Sequence, residues 1–168
     1  SLKLKTELYY QHLYNIPVDQ YPSAFSLLNQ GSGFQRFFPD ELVNEGTGTN
    51  YGVELTVQKY FNQSFYFLIT GSLFESKYEG SDGIERNTDF NGNYAVNFLA
   101  GKEFHINEKN TISAGVKVTA AGGRRYGYVD VDQTLANNEL VFKDSLFNSR
   151  QFRDYFRLDF KITYKLNT

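Results

Sequence analysis

The residues best suited to bind a ligand lie in two connecting segments that separate strand-like stretches of the chain. In residues 122–149 a glycine pair precedes two arginines and a tyrosine, and residues 16–48 combine many aromatic side chains with arginine. Arginine forks and tyrosines are the side chains that recognise carboxylates, peptides and sugars. An alternative role for the aromatic residues of 16–48 is to pack this loop onto its neighbours. The predicted substrate-contact residues are Arg124, Arg125, Tyr126, Arg36 and Phe37.

Catalytic and metal-binding chemistry is poorly represented. There is no cysteine, and His12 and His105 lie on different segments without neighbouring ligands, so we expect neither a thiolate site nor a zinc site. The sequence DVD at 130–132 lacks the third acidic ligand and the glycine of a calcium loop. No serine, histidine and acid set and no phosphate loop stands out. We therefore predict that the protein is not an enzyme and uses no metal or cofactor.

Composition limits the class of protein. The formal net charge is −2, from 17 Lys and Arg against 19 Asp and Glu, so no basic field is present to hold nucleic acid. No run approaches the roughly 18 apolar residues of a membrane helix, and the opening SLKLKTELYY alternates instead of forming the apolar centre of a signal peptide. Phe and Tyr make up 17% of the residues, which is typical of strands and of interfaces that are half apolar and half wet.

Period-two alternation predicts an all-β fold, an antiparallel up-and-down meander of about six long strands that occupies residues 1–168. In the clearest stretch, Ile112, Ala114, Val116 and Val118 alternate with small or polar residues, and successive strand side chains point to opposite faces. Residues 23–30 are the only predicted helical turn, too short to cover a sheet. The strands are predicted near 2–14, 50–61, 64–78, 92–104, 110–121 and 152–166.

Loop lengths favour a membrane setting for this sheet. The connections are alternately long and short, roughly 35, 3, 13, 5 and 30 residues, as in membrane barrels, which have short turns on one side and long loops on the other. Strands of about 12 to 15 residues also exceed the globular mode of roughly 5 to 6. The pattern predicts a segment of a transmembrane β-barrel with its apolar face on lipid. Its lumen-facing wall would contain Glu54, Arg157, Asp159 and Lys161, for which a solvated, salt-bridged surface is the alternative reading.

Two other classes of protein remain open at this level. Alternation alone does not distinguish an apolar face turned towards lipid from one turned towards a second sheet, so a soluble ligand-binding antiparallel β-barrel or sandwich is the alternative. An outer-membrane hydrolase is disfavoured, because neither histidine has a serine and an acid as companions in its own segment.

Several stretches resemble the late barrel strands of TonB-dependent outer-membrane receptors of the Bacteroidetes type. They are LYNIPV (13–18), GTGTNYGVELTVQKYF (46–61), NGNYAVNFLAGKEF (91–104), AGGRRYGYVDVDQT (121–134) and DYFRLDFKITYKLN (154–167). The resemblance covers nearly the whole chain, and it rests on motifs typical of barrel strands instead of a catalytic fingerprint.

The resemblance implies a 22-stranded barrel, plugged by an N-terminal domain, that imports a nutrient across the bacterial outer membrane. The implied partners are outer-membrane lipid, a TonB-type motor that acts through an N-terminal part, and a lipoprotein lid. The plug and the early strands are not found in these residues, and the terminal aromatic residue of such barrels is missing from YKLNT. We therefore expect a portion of a longer receptor that stops roughly two strands before its end.

Overall fold

The computed structural model describes residues 1–31 and 41–166, and these form an antiparallel meander. Six long strands are hydrogen-bonded to one another in chain order, β1, β2, β3, β5, β6 and β9; β4 pairs with β3, and β7 and β8 form a separate two-stranded ribbon. The strand bounds are β1 (Leu2–Asp19), β2 (Leu42–Asn62), β3 (Phe65–Glu79), β4 (Glu85–Asn87), β5 (Tyr94–His105), β6 (Asn110–Ala121), β7 (Arg125–Tyr126), β8 (Arg150–Gln151) and β9 (Tyr155–Leu166).

The predicted all-β meander is confirmed, and each predicted strand corresponds to one of the six long strands. The first two strands extend further than predicted, because β1 and β2 continue to pair through Ile16 with Gly46 and Val18 with Val43. The register shifts on both sides of Ile16, and Asn15 has a positive φ of 57°. Such irregularities interrupt the alternation by which a strand is recognised in a sequence. Both ends of the predicted loop, 16–19 and 42–48, are therefore strand.

The short connections lie at one end of the sheet and the long connections at the other. Gln63 and Ser64 join β2 to β3, and both have positive φ, 52° and 62°, as the central residues of a type I′ hairpin turn do. Between β5 and β6, the Asn107 side chain accepts hydrogen bonds from the backbone N–H groups of Lys109 and Asn110, at 3.0 and 2.9 Å. At the opposite end, the long connections carry β4, the β7–β8 ribbon and the short helices.

The helical content differs from the prediction. Residues 23–30 contain only a 3₁₀ turn, Leu27–Asn29, and a second 3₁₀ turn spans Asp144–Leu146. The one α-helix of the described residues, α1 (Val131–Asn137), was not predicted, since seven residues are too few to show a helical period. Asp130 caps it by accepting a hydrogen bond from Gln133 N–H at 3.1 Å. The first aspartate of the DVD sequence is thus the N-cap of a helix.

The most buried side chains lie at the long-loop end of the sheet. Val18, Ala24 and Tyr78 are almost completely buried where the long connections meet β1 and β3. Within the sheet, each long strand contacts chiefly its hydrogen-bonded neighbours, and most strand side chains are half-buried or exposed. The packed core of the described chain is therefore at the long-loop end.

Candidate functional site

One face of the sheet is apolar across all six long strands. Cross-strand pairing sets Val57 beside Ile69, Ile69 beside Phe98, Phe98 beside Val118, and Val118 beside Leu158. Large side chains on this face are open to the surroundings: Phe160 and Ile162 are 75% and 79% exposed. Ile112, Val116 and Val118, whose alternation was the clearest in the sequence, lie on this face. With them the register places Val53, Leu55, Val57, Val96, Phe98, Phe156, Leu158, Phe160 and Ile162.

The opposite face is polar and contains all four residues predicted for a lumen-facing wall. Thr70, Asn97 and Thr119 are neighbours on adjacent strands, and Thr119 Oγ1 donates to Asn97 Oδ1 at 3.0 Å. Arg157 and Asp159 form an ion pair along β9, with Nη2 and Oδ1 2.8 Å apart. Both side chains are partly exposed, so this pair contributes little to stability. The register assigns Glu54, Arg157, Asp159 and Lys161 to this face.

At the long-loop end, three connections pack together into what we call the loop cluster, residues 20–31, 80–93 and 122–154. The Tyr78 hydroxyl, at the end of β3, donates to the Ala24 carbonyl at 2.8 Å, and the Asn29 side chain accepts from Asp89 N–H at 3.0 Å. Asn148 donates from Nδ2 to the Asn87 carbonyl at 3.0 Å. The predicted placement of loops 16–48 and 122–149 at the same end of the strands is therefore observed for their described residues.

An ion pair is buried inside the loop cluster. Arg86 Nη1 donates to Asp82 Oδ1 at 2.8 Å, and the two side chains are only 4% and 14% exposed. The Arg86 guanidinium holds the pKa of the Asp82 carboxyl below its usual value, mainly through this hydrogen bonding. Arg86 Nε also donates to the Asp144 carbonyl at 3.0 Å, which joins the second connection to the third.

Two asparagines of the second connection bind both a strand and the third connection. Asn91, completely buried, donates to Glu75 Oε2 at 2.9 Å, and Asn93 donates to Glu75 Oε1 at 2.7 Å. Arg125 donates from Nε to the Asn91 carbonyl at 2.9 Å and from Nη2 to Asn93 Oδ1. Arg125, a predicted substrate-contact residue, thus has its guanidinium engaged in holding β7 on the second connection.

The glycine pair before β7 allows close backbone contact. A Cβ atom on Gly122 would lie 1.7 Å from the Gly92 carbonyl oxygen, and one on Gly123 would lie 2.1 Å from the Phe152 carbonyl oxygen. No other residue fits between these backbones. The pair lets the second connection and the residue after β8 pack directly against the end of β6.

The remaining predicted substrate-contact residues are placed as follows. Arg124 lies over the Phe90 ring, with 5.6 Å between its Cζ and the ring centroid, and Tyr126 stacks on Phe152 with centroids 4.3 Å apart. Arg36 and Phe37 lie outside the described residues. Sequence patterns did not indicate Arg150, which pairs with Tyr126 in the ribbon, or Phe152, which stacks on Tyr126, because a two-residue strand carries no periodic signal.

The described residues offer limited catalytic chemistry. Ser64 Oγ lies 3.3 Å from His105 Nε2, but the other ring nitrogen, Nδ1, is 3.2 Å from Thr111 Oγ1 and not from a carboxylate. The acid that orients the base in a serine nucleophile set is therefore absent from this pair. Among residues 1–31 and 41–166, no group of three or more potential ligands is arranged to hold a metal ion. No helix in the same ranges is long and apolar enough to cross a membrane.

The described residues thus present an open apolar sheet face, a polar face opposite to it, and a cluster of loops with arginines and aromatic rings at its surface. Comparisons of the chain with protein-family models, with curated proteins and with solved structures find no match.

Proposed function

We propose that this chain is part of the wall of a TonB-dependent outer-membrane receptor, an active transporter that captures a nutrient in its outer loops and imports it through a plugged barrel. The long-loop end then faces outwards, the short turns face the periplasm, and the apolar face contacts outer-membrane lipid. The TonB-type motor and a lipoprotein lid are its proposed partners.

One observation carries the proposal: the apolar face is continuous in register across six strands, and its largest side chains are exposed. A water-soluble protein rarely exposes contiguous apolar patches of more than a few hundred Å². Antiparallel strands with an apolar outward face, a polar inward face, short turns at one end and long loops at the other are the arrangement of membrane barrels. Strands of 12 to 21 residues are long enough to cross a bilayer and extend beyond it.

Alternating residues of β9 provide a direct test. The 168 residues contain no cysteine. In a full-length protein in which any other cysteine is replaced by serine, single cysteines at 158, 160 and 162, and at 157, 159 and 161, introduce labels at chosen faces. Each variant is labelled with a fluorophore and reconstituted into phosphatidylcholine vesicles with and without brominated acyl chains. We expect strong quenching by bromine at the first three positions and weak quenching at the second three, because the register assigns the two sets to opposite faces.

The matched sets serve as each other's control, since neighbouring residues share strand, depth and label. Equal quenching of both sets would contradict the membrane assignment of the faces. A protein that stays monomeric in buffer without detergent, with no quenching at either set, would favour the soluble β-barrel or sandwich.

A further inference from the structure

Two lysines interrupt the apolar face of the sheet near the short turns. On the short-turn side of the Val53–Leu73 pair, Lys59 and Lys102 are the charged residues that the register of the six long strands places on this face. Each lies three residues before the end of its strand, β2 or β5. A cation on the outer side of a barrel is costly at the middle of a bilayer and costs little near its interfaces. The two lysines therefore fit the level of a membrane interface.

Both lysine side chains lean towards the short turns. Lys59 pairs across the strands with Phe67, yet its Nζ lies 5.0 Å from the ring centroid of Phe65, which is nearer to the β2–β3 turn. Lys102 Nζ lies 5.2 Å from the ring centroid of Phe104, which follows it towards the β5–β6 turn. Lysines lean in this way when their apolar stems cover an apolar surface and their charged ends reach for water or lipid headgroups. The sheet thus carries both ammonium groups on aromatic rings at its short-turn end.

Neither of these charges is neutralised by a side chain of the described chain. Among residues 1–31 and 41–166, the Lys59 and Lys102 ammonium groups have no carboxylate partner and donate no hydrogen bond. Lys102 lies between Phe65 on β3 and Ala114 on β6, and the two cross-strand neighbours of Lys59 are apolar as well. An ammonium has three N–H donors, and a ring below it leaves them for oxygen acceptors. The complement of this surface is an anion joined to an apolar body.

From the unpaired charges, the aromatic rings below them and the adjoining apolar surface, we infer that Lys59 and Lys102 bind anionic phospholipids. Each ammonium donates to a phosphodiester oxygen, and the acyl chains lie along the apolar face. A free phosphate would use the lysines alone, whereas a phospholipid uses both the charge and the apolar surface beside it. This inference rests on the proposed function, because it needs the short-turn end to lie at a membrane interface, and it adds the class of lipid bound there.

The test uses the full-length protein with no other cysteine and a fluorophore on a single cysteine at position 162 or 156 of β9. Position 162 lies in the same cross-strand row as Lys102, and position 156 lies six residues away on the same face, towards the long loops. Each labelled protein is reconstituted into phosphatidylcholine vesicles that contain an equal mole fraction of either brominated phosphatidylglycerol, which is anionic, or brominated phosphatidylcholine, which is not.

We expect the anionic lipid to quench the label at 162 more strongly than brominated phosphatidylcholine does. The difference should correspond to a preference of about fivefold, as expected for one lysine beside an anionic headgroup. At 156 the two lipids should quench alike, because the register places no lysine beside that position on the apolar face. A label at position 2, which pairs with Lys59, should report the same preference as the label at 162.

Substitutions separate the lysines of the two faces. Lys102→Gln should remove the preference at 162, and Lys59→Gln should remove it at position 2, while Lys102→Arg should retain it because the charge remains. Lys165→Gln is the matched control, since Lys165 is exposed near the same turn but pairs with Thr111 on the polar face. The preference at 162 should be unchanged in this variant.

The inference is overturned if both lipids quench the 162 label equally, if the preference persists in Lys102→Gln, or if Lys165→Gln removes it as well. Each of these outcomes, with quenching by both lipids, leaves the receptor proposal standing and removes only the lipid site. If neither lipid quenches any label on the apolar face, the membrane assignment fails and the lipid site fails with it.

Discussion

The loop cluster and the sheet beneath it bury their side chains in opposite ways. In the loop cluster the buried residues are largely polar, among them Arg86, Asn91 and Asn148, and in the described chain no buried side-chain nitrogen or oxygen lacks a hydrogen-bond partner. In the sheet, large apolar side chains such as Phe160 stay exposed. The buried polar groups of the loop cluster are hydrogen-bonded within it, whereas none of the described residues packs over the apolar face of the sheet.

The difference shows that the two regions depend on their surroundings to different degrees. A buried polar network is stabilised by its internal partners, and removing one member leaves others unsatisfied whatever the solvent. An exposed apolar face gains free energy only from a medium that excludes water. Substitutions in the loop cluster should therefore have the same effect in lipid and in detergent, and substitutions on the sheet should depend on which face they alter.

The largest effect is expected from the buried ion pair. Asp82→Asn leaves the Arg86 cation buried without its counter-charge, and we expect a loss of about 3 to 5 kcal/mol in the free energy of unfolding, measured by denaturant titration of the full-length protein in vesicles. The control is Glu85→Gln, in the exposed Lys77–Glu85 pair of the same connection, which should cost at most about 1 kcal/mol. Similar losses in both variants would show that the loop cluster is not a sealed network.

The second-largest effect is expected from a lysine placed on the apolar face of the sheet, compared with a lysine on the polar face. Ile69→Lys places a cation on the apolar face between Val57 and Phe98, and should cost about 2 to 4 kcal/mol near the middle of a bilayer. Thr70→Lys, one residue further along β3 between Thr56 and Asn97, should be nearly neutral. The same titration in vesicles measures both, and equal costs would mean that the faces do not differ in their contact with lipid.

Replacing one asparagine by alanine in each region should give a smaller difference in stability. Asn91→Ala removes a buried amide that donates to Glu75 and Asn87, so we expect a loss of about 1 to 3 kcal/mol. Asn97→Ala, on the polar face of the sheet, removes an exposed amide and should change stability by no more than about 0.5 kcal/mol. A larger loss of stability in Asn97→Ala than in Asn91→Ala would contradict the conclusion that the loop cluster contains the buried polar network.

The smallest effect concerns a single hydrogen bond. Tyr78→Phe keeps the buried ring but removes the hydroxyl that donates to the Ala24 carbonyl, for an expected loss of about 1 kcal/mol. Tyr10→Phe, on the exposed β1 edge, should have no measurable effect on the unfolding midpoint. Hydrogen exchange of the 20–31 segment adds a local measurement, and we expect it to accelerate in Tyr78→Phe alone.

The sheet was largely predictable and the loop cluster was not. In a regular strand, apolar and polar residues alternate with a period of two, as they do around Ile112, Val116 and Val118. This alternation predicted the long strands and the residues that share a face. Arg125 was predicted to contact substrate from its residue type. Its inward hydrogen bonds follow from Gly122 and Gly123, which bring Gly92 and Phe152 close, and no local pattern reports such contacts.

The sequence by itself determined the antiparallel meander, the composition of its two faces and the alternation of long and short connections, because these follow from neighbouring residues and the geometry of a strand. Only the tertiary structure decided which polar residues are buried and which partners they have. Asn91, Arg86 and the β7–β8 ribbon obtain their partners from positions about 30 to 60 residues away. Pairings over such separations depend on how the loops fold onto one another, since each closes only when the whole network is in place.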